Sequence, residues 1–327
     1  MKPRVSVVVP TLRRPHLLAR CLAALLRQDL PASAFEIIVV DDGPDVATER
    51  VVRRWSASGA ASRPGLIVHY RANRGAHGPA AARNVGWRAA RAPVVAFTDD
   101  DTIPSRSWLA GGLGAIDNGA MAVWGRVRVP LPSHPTDYEL DAAGLDSAVF
   151  VTANCFVRAS ALRDVGGFDE RFRVAWREDS DLYFRLLKRY RRVDPAPRAV
   201  VLHPVRPARF GISISQQRKV IFDALLYRKH PELYRTNIRQ QPPYPYYVSV
   251  LMLLLAAAAG VLGHSELAWV ACAVWFGVTA EFTVRRLRRT SRSVVHVLEM
   301  CVTSAVIPIV AVFWRLAGAF RFRVLFV

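Results

Sequence analysis

Four short apolar runs, Val5 to Val9, Phe35 to Val40, Leu66 to Tyr70 and Val94 to Phe97, set the frame for the N-terminal part of the chain. Val5 to Val9, Phe35 to Val40 and Val94 to Phe97 are apolar with little polar alternation and read as buried strands, and Leu66 to Tyr70 reads as a further strand. Between them the apolar spacing turns helical: Leu17, Leu18, Cys21, Leu22, Leu25 and Leu26 fall on one face of the segment from His16 to Gln28. Val46 to Trp55 and Ala80 to Arg91 read the same way, and Ser56 to Pro64, small and polar, reads as a loop. Strand alternating with helix argues for a Rossmann-like, mainly parallel α/β sheet between helices. Ligands of such sheets sit beyond the carboxyl ends of the strands. Pro10 and Thr11, Asp41 and Asp42, and Asp99, Asp100 and Asp101 all stand at those ends, so they are expected to converge on one crevice.

Three adjacent carboxylates repel one another unless a cation or strong donors neutralise them. Hard oxygen ligands in a row suit Mg²⁺ or Mn²⁺, which one or two carboxylates hold together with substrate phosphates. The alternative is a solvated loop capping the helix from Trp108 to Asn118. Asp42 could accept a hydrogen bond from a nucleobase or ribose. Arg71, Arg74 and Arg83 surround the Gly-rich loop from Asn73 to Pro79 and could pair with phosphate oxygens. Downstream, Ala120 to Val129 and Ala148 to Val157 read as strands, with a long Pro-rich loop, Pro130 to Asp146, between them. Gly166 to Phe172 reads as a turn. A helix opens at Glu178, Asp179 and Asp181, where carboxylates are favoured by the dipole in any case, and Trp176 beside it points to a shaped pocket. Val200 to His203 reads as a short strand, and His203 could complete a carboxylate-and-imidazole metal site.

The last third of the chain changes solvent. Stretches at about 246–263, 267–284 and 294–314 approach the ~20 apolar residues that a membrane helix needs, and the third carries His296, Glu299 and Pro308. The Arg-rich run from Arg285 to Arg292 marks the cytoplasmic side by the positive-inside rule, which puts the loop from Gly263 to Glu266 outside. Three full spans would leave Arg315, Arg321 and Arg323 outside, so the third segment is either re-entrant or interfacial, or breaks the rule. Gln216 to Ile238 is basic and amphipathic and reads as a helix on an anionic leaflet. Three regions are therefore expected: 1–210 catalytic, 211–243 interfacial and 244–327 transmembrane. The net charge of +19 suits anionic partners, and its concentration around apolar stretches fits anionic lipid better than nucleic acid. Cys21, Cys155, Cys272 and Cys301 form no CxxC pair, so neither zinc nor a disulfide framework is indicated. The apolar run at the N-terminus is too short for a signal peptide, so the first region is expected in the cytoplasm, with the protein expected to be multi-pass in the cell inner membrane.

Val5 to Thr11, Val39 to Gly43, Gly78 to Asn84, Phe97 to Asp101, Asn154, Gly166 to Glu170 and Glu178 to Asp181, in this order and spacing, resemble the family 2 glycosyltransferases, whose catalytic domain has the GT-A fold. The resemblance runs from Val5 to about His203. It implies that Pro10, Thr11 and Asp42 hold a nucleoside, and that Asp99 and Asp101 are the DXD pair with Asp100 in the variable middle. It also implies that Asp179 is the base, with Glu178 its neighbour near the acceptor. His203 resembles the late metal-binding His of some GT-A enzymes. Polymer-extruding members carry Gln-x-x-Arg-Trp on an interfacial helix; here the run from Gln216 to Val220 has Lys219 and Val220 in the last two places, which favours transfer of a single sugar.

The expected reaction is an inverting, metal-dependent transfer of one sugar from a nucleotide sugar to a lipid-linked or membrane-embedded acceptor, as in glycolipid or polysaccharide synthesis. Donor contacts are expected at Pro10, Thr11, Asp42, Arg83, Asp99 and Asp100, acceptor contacts at Asn154, Trp176 and Asp181, and metal contacts at Asp99, Asp101 and His203. Nucleotidyl transfer on a similar sheet would instead release pyrophosphate. A non-catalytic basic membrane scaffold would need none of these residues.

Overall fold

The computed structural model describes residues 2–326. The chain forms β1 (Val5–Thr11), α1 (Pro15–Leu25), β2 (Phe35–Asp41), α2 (Val46–Ser62), β3 (Ile67–Ala72), α3 (Pro79–Ala89), β4 (Val94–Phe97), β5 (Ile103–Pro104), α4 (Trp108–Asp117), β6 (Ala122–Arg128), α5 (Asp137–Ala143), β7 (Cys155–Arg158), α6 (Ala159–Asp164), α7 (Glu178–Arg189) and β8 (Val193–Leu202). It continues with α8 (Ile212–Gln216), α9 (Ile221–Lys229), α10 (Pro231–Asn237), α11 (Tyr244–Val261), α12 (Ser265–Leu287) and α13 (Val294–Arg321). Two compact units result: one runs to Pro130 and resumes at Ala143–Val205, and the other joins Leu131–Ala142 to the chain from Arg206 onward.

The first unit is an eight-stranded sheet in the order β3-β2-β1-β4-β7-β6-β8-β5. β1 pairs in parallel with β2 and β4, and β2 with β3, as the apolar runs require. β7 is antiparallel to both its neighbours, so the sheet is mixed. The apolar runs become one core layer on each face, with Val7, Leu22, Ile37 and Trp108 on one side and Val8, Ile38, Phe97 and Leu182 on the other. Three local expectations change. α2 continues through Ser62, because the Ala and Ser residues after Trp55 carry good or neutral helix propensity and nothing before Arg63 stops them. The segment expected as a strand from Ala148 shortens to β7, preceded by a turn at Thr152–Asn154. The loop from Pro130 to Asp146 contains α5, and its first part belongs to the second unit.

α3 reaches the sheet closely because of Gly86. A Cβ there would stand 2.3 Å from Val8 Cγ1 and 3.1 Å from Val40 Cγ2. This fixes how α3 presents its first turns above β1.

In the second unit α11, α12 and α13 are each long and apolar enough to cross a membrane. α11 and α12 are almost unburied, whereas α13 carries a buried seam: His296, Met300, Thr303, Ile307, Ala311, Arg315 and Gly318. α13 is one continuous helix through Pro308. The expected leaflet helix from Gln216 to Ile238 is also different. It divides into several short pieces, and Ile221, Phe222, Ala224, Leu225 and Leu226 are buried. The Ile221 carbonyl lies 2.8 Å from where a Cβ on Gly318 would be, so α9 spends its apolar side on α13. Arg286, from the Arg-rich run expected on the cytoplasmic side, is turned inward. It donates to Asp137 Oδ2 at 2.7 Å, Thr303 Oγ1 at 2.7 Å and Ser304 Oγ at 3.1 Å. With the Ser291 N–H donating to the Pro135 carbonyl at 2.8 Å, this holds the start of α5 in the second unit.

Gly86→Val should lower stability by ~1–3 kcal/mol, since overpacking outweighs any gain in chain stiffness. Gly114→Ala at an exposed position of α4, where an added Cβ meets nothing within 4 Å, should be neutral or raise it by up to ~1 kcal/mol. Thermal unfolding of the detergent-solubilised chain checks both signs.

Candidate active site

The register of the sheet builds the site. Val8 is level with Phe97, so Thr11 and Asp100, each three residues on, come side by side. Thr11 Oγ1 donates to Asp100 Oδ2 at 2.7 Å, and Arg14 Nη2 lies 3.1 Å from Asp100 Oδ1. Asp100 is fully buried, and burial, outweighing Arg14, pushes its carboxyl up to about 7. It therefore ties the β1 and β4 ends together.

β5 pairs antiparallel with β8, Ile103 opposite Leu202, and this brings Asp101 beside His203. His203 Nε2 is 3.4 Å from Asp101 Oδ1, and the His203 N–H is fixed by donating to the Arg128 carbonyl at 2.8 Å. Asp99, Asp101 and His203 offer ligand atoms within 4.8 Å of one another, the one such group of three or more among the described residues. Two carboxylates and an imidazole are a donor set that fits Mn²⁺ or Mg²⁺.

Arg83 joins this cluster to the start of α7. Its Nη2 donates to Asp99 Oδ1 at 2.7 Å and its Nη1 to Glu178 Oε1 at 3.0 Å, with the guanidinium almost wholly buried. Burial works against the charge of Asp99, but Arg83, then His203, hold its carboxyl below the usual range. Glu178 goes the other way: burial first, then the neighbouring Asp179, raise it to about 7. Burial also raises Asp179, whose Oδ1 accepts the Ser180 N–H at 2.6 Å. One guanidinium thus serves two carboxylates with a third adjacent, so this end of the site is short of positive charge.

Asp42 closes the other side. Its Oδ1 accepts from Asn73 Nδ2 at 2.7 Å and its Oδ2 from the Gly78 N–H at 2.8 Å, which folds the Gly-rich loop over the strand end. Gly78 sits at φ 121° with the Arg173 carbonyl 2.8 Å from any Cβ, so only glycine fits. Pro10 is half-buried at the end of β1. Trp176 stands in the turn before α7 with the Arg177 guanidinium 4.4 Å from its ring centre, and Arg177 itself holds a left-handed φ of 74°.

Two of the expected acceptor contacts, Asn154 and Asp181, are buried among internal partners. Asn154 is 0% exposed; its Oδ1 accepts from Trp108 Nε1 at 2.8 Å and its Nδ2 donates to the Arg126 and Ala199 carbonyls at 3.0 and 2.9 Å. It staples the core and has no remaining donor to offer. Asp181 is buried against Arg185 at 2.8 Å. Sequence reasoning gave no role to Arg14 or Asn84. Asn84 Nδ2 donates to the Phe168 carbonyl and to Glu170, and its Oδ1 accepts the Phe168 N–H, fixing the turn ahead of α7. Its i, i+3 hydrogen bond from Trp87 was the readable sign.

The comparisons with known proteins agree with this architecture. Residues 6–158 match glycosyl transferase family 2, and residues 132–317 match glycosyl transferase family group 2. The chain belongs to the family 2 group of glycosyl transferases. It is 29% identical over 176 residues to glycosyltransferase AglE of Haloferax volcanii, covering 51% of this chain and 56% of that protein. It is 32% identical over 218 residues to the pre-mycofactocin glycosyltransferase of Mycobacterium tuberculosis, covering 62% of this chain and 43% of that protein. It therefore spans about half the length of these curated relatives. Its fold, GT-A, is shared with a mannosyltransferase from Pyrobaculum calidifontis in complex with GDP-Man and Mn²⁺ (TM-score 0.56, 20% identity, 93% of this chain and 87% of that one). It is shared as well with TarS 1–349 of S. aureus in complex with UDP (TM-score 0.52, 19% identity, 88% and 92%).

The raised carboxyl of Glu178 gives a pH dependence. Its ordinary value is 4.5 and its folded value about 7, so between them the folded chain keeps a proton that the unfolded chain has released. This contribution is full below 4.5 and is lost as pH rises through about 7. Thermal midpoints should fall across that window in the wild type and fall less in Glu178→Gln.

Proposed function

We propose that this glycosyl transferase moves one sugar from a nucleotide-sugar donor to a lipid-linked or membrane-embedded acceptor, with metal dependence and inversion at the anomeric carbon. The observation that carries the reading is the Arg83 bridge. It joins a carboxylate and imidazole cluster at one strand end to a Glu-Asp pair at a helix start. The GDP-Man and Mn²⁺ of the Pyrobaculum structure, and the UDP of TarS, support a nucleotide donor and a divalent ion here.

Asp99, Asp101 and His203 would hold the ion, and Pro10, Thr11 and Asp42 frame the nucleoside side. A bound Mg²⁺ or Mn²⁺ would offset charge on the departing diphosphate. Asp179 has one oxygen fixed by the Ser180 N–H, and its other oxygen accepts the proton of the acceptor hydroxyl as that oxygen attacks the sugar carbon. Its raised affinity for protons suits a base. Glu178, held by Arg83, fixes the first turn of α7 and so the aim of Asp179. Attack opposite the leaving diphosphate inverts the anomeric centre. Trp176 borders the acceptor side.

We extend this proposal to the membrane region. The chain from Gly211 to Arg228 lies along α13. The Gly211 N–H donates to Glu299 Oε1 at 2.7 Å near one end, and Arg228 Nη1 donates to the Phe322 carbonyl at 2.8 Å at the other. A basic stretch that ends before the first span thus accompanies α13 from Glu299 to its C-terminal end. Both then lie at one depth, at the cytoplasmic face of the inner membrane, and α11 and α12 form the spanning hairpin.

Asp179→Asn should cut turnover ~10²–10⁴-fold while nucleotide-sugar binding stays unchanged; normal turnover would remove the base assignment. Asp101→Ala should reduce donor binding in Mn²⁺ to the level of the wild type in EDTA, measured by calorimetry. In sealed vesicles, a membrane-impermeant maleimide should reach cysteines placed at Gly263 and Arg321 from opposite sides. Labelling from the same side would make α13 a third span.

A further inference from the structure

The second unit contains a cavity of about 200 Å³, walled by the start of α13, the start of α5 and the turn from Arg206 to Ser213. Most of its charged groups are already committed. Asp137 is paired with Arg286 at 2.7 Å, Glu139 Oε2 accepts from the Thr136 N–H at 2.7 Å, and Glu299 Oε1 accepts from Gly211. His296 is the exception. It is 4% exposed, both ring nitrogens lack a hydrogen-bond partner, and Nδ1 stands 3.8 Å from Glu299 Oε2. A buried imidazole left unpaired costs ~1–3 kcal/mol, and packing alone would be served better by an apolar residue.

We propose that this cavity binds an uncharged hydroxylated group, a sugar or polyol, with His296 and Glu299 as its hydrogen-bonding pair. Neutral imidazole offers one donor and one acceptor, and the carboxylate offers a further acceptor. A hydroxyl both donates and accepts and so satisfies both. An ion of either sign gains little, because beyond the Asp137–Arg286 pair the wall carries two carboxylates, Glu139 and Glu299, and two guanidinium groups, Arg206 and Arg209. Ile212 and Met300 give the wall an apolar part suited to the C–H face of a ring. At ~30 Å³ per water, the space corresponds to several waters, enough for one monosaccharide or a polyol headgroup. The site lies wholly within the second unit and is independent of the strand-end reaction.

The full chain in phosphatidylcholine nanodiscs tests this. One arm titrates free methyl β-glucopyranoside by saturation-transfer NMR, and the other incorporates monoglucosyldiacylglycerol and reads the shift in thermal midpoint. Saturable binding in the first arm indicates a soluble ligand, and binding in the second alone indicates a lipid headgroup. Affinity should fall at least tenfold in His296→Phe and less in His296→Gln, which keeps hydrogen-bonding atoms, while Asp179→Asn binds as the wild type does. No binding in either arm, equal binding by His296→Phe, or binding of inorganic phosphate in preference to both sugars overturns the proposal. Should His296→Phe not fold, Glu299→Gln replaces it with the same expectation of weaker binding.

Discussion

A single buried guanidinium sets the geometry of the catalytic unit. Arg83 meets Asp99 from β4 and Glu178 from α7, groups that are distant in sequence and would repel each other if left alone. Removing an arginine from water costs several kcal/mol, and the cost is met only when its partners are charged and well placed. That demand reaches outward. α3 must sit close on β1, which Gly86 permits against Val8. The turn before α7 must be fixed, which Asn84 does through Phe168. The strand ends must not splay, which Thr11 prevents through Asp100. The site is therefore preorganised by contacts made among its own supports.

Much of this was legible in the sequence because burial and periodicity are one-dimensional signals. The four apolar runs became parallel strands, and the residues after them became the crevice. Direction was harder. Asp99, Asp100 and Asp101 are identical in type, yet one pairs with Arg83, one turns into the core toward Thr11, and one faces His203. Successive residues beyond a strand point different ways, and which way depends on β5, a pair too short to carry any periodic signature. Asn154 shows the same limit: a polar residue reads equally as a ligand contact or as a core staple until Trp108 and the Arg126 and Ala199 carbonyls are placed around it. Asp181 was more readable, since Arg185 lies one helical turn on, where a favourable pair is expected.

The basic character of the chain divides by the same reasoning. A run of arginines next to apolar stretches reads as a headgroup anchor, and hydropathy cannot say which of its members turns inward. Arg286 does so because Asp137, Thr303 and Ser304 surround it. Arg315 is buried with its guanidinium 3.9 Å from the Phe326 ring centre, so it is packed against protein and not free in a loop.

This bears on why α13 looks like a span by composition and yet packs unlike one. A helix facing lipid on all sides needs no polar seam, and α11 and α12 have little burial of any kind. α13 instead repeats its buried positions at nearly every turn, from His296 to Gly318, and includes a histidine, hydroxyls and an arginine among them. Such groups are costly in hydrocarbon and inexpensive against a polar neighbour. The neighbours of α13 are Arg286, which meets Thr303 and Ser304, the Phe326 ring, which meets Arg315, and the chain from Gly211 to Arg228, whose apolar residues would otherwise lie open to water. That chain and α13 each cover apolar surface that the other would otherwise expose.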